Sequence, residues 1–203
     1  MMPISHLRKF IFFHIPKTGG TSISKCLKLE RRGVEYAWGS RRQHLTWQEM
    51  LVDEYVTEEQ MSNYFKFSFV RNPFDRIVSC FLYQKRAKEI DRNISFSKYV
   101  AIAHERRGRN YIKRYFYFRP QCEFICRDGA NILDFVGRFE YINRDFKDLM
   151  SYFDMKCPRL LHAQRSRKRK SYQSYYSKKS KNLVRKMYAK DLDIFGYSFR
   201  GDK

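Results

Sequence analysis

The apolar positions of the chain fall into short blocks, each bounded by a turn or capping signal. Phe10-Ile11-Phe12-Phe13 is an unbroken apolar run, which predicts a buried strand over about 9–14. Gly19-Gly20 follows, and Ile23-Ser24-Lys25-Cys26-Leu27-Lys28-Leu29 reads as the first turns of a helix over about 20–31. A stretch over 33–42 is rich in arginine and aromatics. Thr46 caps a helix starting at Trp47, and Thr57-Glu58-Glu59-Gln60 is a capping box for another short helix. Phe65-Lys66-Phe67-Ser68-Phe69-Val70 reads as a strand with aromatic alternation. Pro73 and Asp75 are start signals for a helix that runs to about residue 88, and Ser95 caps one over 96–105. Residues 115–118 and 122–125 are short aromatic or apolar segments, and Phe135-Val136-Gly137-Arg138-Phe139 reads as a short strand. Amphipathic helices are expected over 145–153 and 178–189. No repeat, low-complexity tract or Pro/Gly linker interrupts this order, so one domain is expected over 1–203. Strands alternating with helices favour an α/β fold with a central parallel sheet flanked by helices.

Composition narrows the class. With 203 residues, 43% of them hydrophobic and 17% aromatic, the chain can bury a sizeable core. No apolar run approaches the ~20 residues of a membrane helix, and the first residues lack a signal-peptide pattern, so a cytoplasmic location is expected. Five cysteines give an odd, scattered set that reads mostly as reduced core residues, although Cys122-x-x-x-Cys126 has the spacing for a small disulfide. The charge is lopsided: 42 Lys+Arg against 21 Asp+Glu give a formal +21. Residues 156–190 carry 13 Lys/Arg and no Asp or Glu. Such a surface attracts polyanions.

The chemistry begins between the first strand and the first helix. His14-Ile15-Pro16-Lys17-Thr18-Gly19-Gly20-Thr21-Ser22 joins them. Strand, glycine turn and helix form a phosphate cradle, with backbone N–H groups and a positive dipole end at the helix start. Thr21 and Ser22 add hydroxyls and Lys17 a mobile cation. In GxxxxGK[ST] the lysine follows the glycines; here Lys17 precedes Gly19 and Gly20, so the core is P-loop-like without being that loop. Arg71-Asn72-Pro73-Phe74-Asp75-Arg76 repeats the logic after the second strand. Ligands of parallel α/β sheets bind beyond the carboxyl ends of the strands. Arg71 stands there, and Ser79 lies in the following helix, so the pair reads as a second anion clamp.

These two segments resemble the phosphate-binding motifs of sulfotransferases that use 3′-phosphoadenosine 5′-phosphosulfate (PAPS), in the group of carbohydrate enzymes such as the heparan-sulfate 2-O-sulfotransferases and their bacterial relatives. Pro120-Gln121, with Asp134 to Glu140 and Asp145-Phe146, is similar to the family's mid-chain block. Tyr188-Ala189-Lys190-Asp191-Leu192-Asp193-Ile194-Phe195-Gly196-Tyr197 is similar to its C-terminal block. The resemblance spans about residues 10–199. It implies that Lys17, Thr18, Gly19, Gly20, Thr21 and Ser22 hold the 5′-phosphosulfate and that Arg71 and Ser79 hold the 3′-phosphate. It also implies a C-terminal loop over the nucleotide. The corresponding stretch is unusually basic, and Arg165, Ser166 and Lys168 are its candidates.

Sulfuryl transfer runs in line from a phosphate leaving group to an acceptor oxygen, so positioning and cations carry most of the catalysis. Lys17 is suited to the charge that develops on the leaving oxygen. His44 is the expected base for the acceptor hydroxyl, in a region where the resembling enzymes carry a histidine base. Glu49 and Asp53 are fallback bases, His14 is expected to be structural, and His104 and His162 belong to no constellation. No metal is implied, because Lys17 and Arg71 supply the cations. The expected acceptor is an anionic carbohydrate or another hydroxyl; nucleic acid is not the expected partner. Two other classes fit parts of the sequence: a P-loop-like small-molecule kinase, and a polyanion-binding module without activity.

Overall fold

The computed structural model of the chain describes residues 4–27, 43–106, 115–156, 160 and 170–202. In chain order the elements begin with β1 (Ile4–Ser5), β2 (Phe10–Phe13), α1 (Gly20–Cys26), α2 (Trp47–Val52), α3 (Glu58–Asn63) and β3 (Phe65–Val70). There follow α4 (Pro73–Arg86), α5 (Phe96–Glu105), α6 (Cys122–Ile125), β4 (Cys126–Arg127), β5 (Ala130–Asn131) and β6 (Phe135–Arg138). The chain ends in α7 (Ile142–Tyr152), α8 (Lys178–Met187), α9 (Ala189–Ile194), β7 (Tyr197–Ser198) and β8 (Gly201–Asp202). The residues form two compact units. One is drawn from Met1–Val70 and Glu123–Arg165, the other from Arg71–Cys122 and Ser166–Lys203.

The first unit holds a four-stranded sheet in the order β1-β2-β3-β6. β2, β3 and β6 run parallel, with Phe12 opposite Phe67 and Phe69 opposite Gly137. β1 pairs antiparallel with β2, so the sheet is mixed rather than wholly parallel. β1 is two residues long, too short for a hydrophobic pattern to mark it. Along β2 and β3 alternate side chains share a face, and Phe10, Phe12, Phe67 and Phe69 lie fully buried there. Ile23 and Leu27 from the α1 side and Ile142, Phe146, Leu149 and Met150 of α7 close the same core. α7 starts at Ile142, three residues before the expected 145, because Asp145 sits inside its first turn instead of ahead of it. Its carboxylate accepts from the Arg138 backbone N–H at 2.6 Å, which ties the end of β6 to the helix.

The second unit is built from α4, α5, α8 and α9 around Phe74, Ile77, Phe81, Phe96, Tyr99, Phe118, Val184 and Met187. Arg76 is buried within it, 2% exposed. Its guanidinium donates to the carbonyls of Tyr117 and Arg119 and lies 5.6 Å from the centre of the Tyr188 ring. Residues 115–118 form a 3-10 turn, and the expected helix over 178–189 ends at Met187, with α9 beginning separately at Ala189. Cys122 and Cys126 are both thiols, with no disulfide between them. The stretch over 33–42 lies outside the described residues. Among the described residues no helix is long and apolar enough to cross a membrane.

Candidate functional site

β2 delivers the chain into the loop that carries the candidate chemistry. His14 follows its last residue and is buried, 5% exposed. The imidazole stacks on Phe12, with centroids 5.5 Å apart and planes at 13°. It also lies directly on the backbone of Gly20: a Cβ there would stand 2.0 Å from His14 Cδ2. At Gly19, with φ +91°, a Cβ would meet the Ile142 side chain at 2.4 Å. The space left by both absent side chains is therefore filled by protein, which is a packing reason for the two glycines beyond the close approach of a phosphate. Burial, followed by the neighbouring His44 and the Lys17 cation, holds the His14 pKa well below the ordinary histidine value. Burial thus favours the neutral form of His14.

Lys17 is half-buried and adopts φ +69°, a left-handed conformation that costs a side-chain-bearing residue of order 1–2 kcal/mol. Thr18 is fully buried, and its hydroxyl donates to the Ile15 carbonyl at 2.9 Å. The Thr18 side chain therefore closes the loop, and the group it can offer a ligand is on the main chain. Thr21 and Ser22 are half-buried in the first turn of α1. That turn contains no acidic residue, and Gly19 brings no side chain to cap it. A cation, two hydroxyls and an acid-free helix start suit an anion.

His44 reaches the same loop from the other side. Thr46 caps α2 in a capping box with Glu49, which fixes the chain two residues beyond His44. Leu45 between them is buried, 3% exposed. His44 Nδ1 donates to the His14 carbonyl at 2.6 Å, and the two rings meet edge-on at 4.4 Å. A carbonyl only accepts, so the proton sits on Nδ1 and the lone pair of the neutral ring on Nε2. That is the tautomer a base needs. Of the fallback carboxylates, Glu49 accepts from the Thr46 N–H in the capping box at 2.9 Å, and Asp53 ends α2 on the exposed side. His104 is exposed in the last turn of α5.

Arg71 and Ser79 belong to the second unit. Arg71 is 5% exposed, and its Nε and Nη2 both donate to Asp75 Oδ2, at 2.8 and 2.6 Å. Asn72 caps α4 by accepting from the Phe74 N–H, and Pro73 occupies the first helical position. Ser79 is half-buried in α4. The sequence marked Asp75 only as a helix-start residue; its pairing with Arg71 is the i,i+4 geometry of a helix face. Gln121 bonds the Arg71 main chain and Asp191 bonds the Gln121 N–H, and only their membership in two motif blocks pointed to them. Arg165, Ser166, Lys168 and His162 lie outside the described residues. Among the described residues no group of three His, Cys, Asp or Glu side chains forms a metal-binding cluster.

The family model described as "Sulfotransferase family" matches residues 2–198. A protein of Archaeoglobus fulgidus, described as "Uncharacterized protein", is 32% identical over 95 residues, which are 47% of this chain and 72% of that protein. No solved structure matches the chain.

Proposed function

The chain belongs to the sulfotransferase family, and from that premise we propose that it moves a sulfuryl group from PAPS to an acceptor hydroxyl on an anionic carbohydrate. The observation that carries the proposal is the convergence of Lys17 and His44 on one buried histidine. His44 Nδ1 donates to the His14 carbonyl at 2.6 Å, and the Lys17 cation is near enough to disfavour a proton on the buried His14 ring. A base hydrogen-bonded to His14 and a cation in the same loop match the two demands of the reaction: a proton on an attacking oxygen and charge on a leaving one.

Bound PAPS supplies an activated sulfuryl group on a phosphate leaving group. Residues 17–22 are assigned to its 5′-phosphosulfate, with Lys17 offsetting the negative charge on the bridging oxygen. Arg71 and Ser79 are assigned to its 3′-phosphate. Arg165, Ser166 and Lys168 are assigned to the nucleotide by resemblance alone. His44 Nε2 takes the acceptor proton, while Nδ1–H stays on the His14 carbonyl. His14, kept neutral by burial, adds no competing charge. The charge of +21 and the exposed Lys178, Lys179, Arg185 and Lys186 of α8 support an anionic acceptor.

Calorimetric titration tests the donor. The wild-type chain is expected to bind 3′,5′-ADP in the micromolar range common for enzyme substrates and to prefer it to ATP with magnesium. Arg71→Ala is expected to weaken 3′,5′-ADP by about tenfold or more. Lys17→Ala and His44→Asn should slow turnover of PAPS about 10²-fold or more, with the folded state kept. A preference for ATP with magnesium overturns the proposal in favour of a kinase.

A further inference from the structure

Arg71 stands one residue beyond β3, and a single side chain grips both of its main-chain polar groups. The Arg71 N–H donates to Gln121 Oε1 at 2.9 Å, and Gln121 Nε2 donates to the Arg71 carbonyl at 2.8 Å. The amide thus pairs with one residue as a neighbouring strand would. Gln121 is fully buried and is itself held by a second buried group. Asp191, also fully buried, accepts from the Gln121 N–H on Oδ2 at 2.8 Å and from the Cys122 N–H on Oδ1 at 2.9 Å. Asp191 lies in the first turn of α9, where the helix dipole favours a carboxylate. At its other end Arg71 is fixed by Asp75.

We infer that Gln121 and Asp191 are positioning residues that aim Arg71, and that the selectivity for a 3′-phosphorylated nucleotide depends on them. The inference rests on the donor reading above. Burying an amide and a carboxylate is costly unless every hydrogen bond is made, and an apolar pair would fill the same space. What the polar pair adds is direction. Each hydrogen bond in the chain Asp191–Gln121–Arg71 fixes the next group in line, and the last group fixed is the main chain of the residue assigned to the 3′-phosphate. A guanidinium recognises phosphate by the orientation of its planar fork, so a small rotation of its backbone forfeits more than a loss of charge would suggest. Neither Gln121 nor Asp191 needs to touch the nucleotide for this role.

The readout is a ratio of affinities. Titrate wild type, Gln121→Met and Asp191→Asn with 3′,5′-ADP and with 5′-AMP, which lacks the 3′-phosphate. Gln121→Met keeps the side-chain volume and removes both polar contacts. It is expected to lower the preference for 3′,5′-ADP about tenfold while leaving 5′-AMP within about twofold. Asp191→Asn should move the ratio in the same direction by a smaller factor. If Gln121→Met does not fold, Gln121→Glu carries the test, because it keeps the acceptor for the Arg71 N–H and loses the donor to its carbonyl. A high wild-type ratio that survives in the variants, or a parallel loss of both nucleotides, overturns the inference and leaves the donor reading intact. A wild-type ratio near one overturns the donor reading and this inference with it.

Discussion

His14 is buried neutral between two groups that disfavour its charge, and this links stability to pH. In the unfolded chain its pKa lies near the ordinary ~6.5, and in the folded chain it lies well below. Above about pH 6.5 neither state binds the proton, and the contribution is constant. As pH falls below that value, the unfolded state takes a proton that the folded state refuses, so stability declines until the folded pKa is passed. Denaturant unfolding should lose up to about 1.4 kcal/mol per pH unit from this group on the acid side of 6.5. In His14→Gln the acid-side slope should be flatter. A slope equal to that of wild type would show that His14 is not the group responsible. Lys17 was named from its place beside a glycine turn, and His44 from its residue type, its place before a capped helix and the family resemblance. Gln121 was legible only as a member of a block. Its partners lie 50 and 70 residues away, and no local pattern encodes such a pairing.

At the scale of the element, the local signals hold best. Thr46 with Glu49 and Thr57 with Gln60 both form complete capping boxes, since both partners lie within one turn. Pro73 and Ser95 likewise start their helices where the sequence places them. What escaped were the two-residue strands β1, β4, β5, β7 and β8, whose existence depends on pairing and not on their own composition. The first residue of α1 carries a further prediction. Alanine is the better helix former by up to about 1 kcal/mol, so helix propensity alone would make Gly20→Ala stabilising. The Cβ would meet a buried ring at 2.0 Å, however, and His14 has little room to retreat between Phe12 and His44. Thermal unfolding should therefore show a net loss of about 1–3 kcal/mol. A gain in Tm would mean that the ring moves freely.

At the scale of the whole molecule, each compact unit is assembled from two separate stretches of chain and has its own aromatic core. The α/β class was legible, because β2 and β3 announce themselves as apolar runs separated by helices. The division into units was not, because at Val70–Arg71 the chain passes from one to the other within three residues of the end of β3 and the start of α4, and the arginine and proline there read as a strand end and a helix start. The left-handed backbone of Lys17 bears on the molecule as a whole. A glycine adopts that conformation without strain, while its greater freedom in the unfolded chain costs about 0.5–1 kcal/mol. The two effects nearly cancel, so Lys17→Gly should unfold within about 1 kcal/mol of wild type in a denaturant titration, and on the more stable side. A loss of several kcal/mol would show that the lysine side chain supports the fold. On the expected outcome, selection for stability alone would favour a glycine at position 17. With the role proposed for Lys17, the residue at this position would trade fold stability for activity in a single backbone torsion.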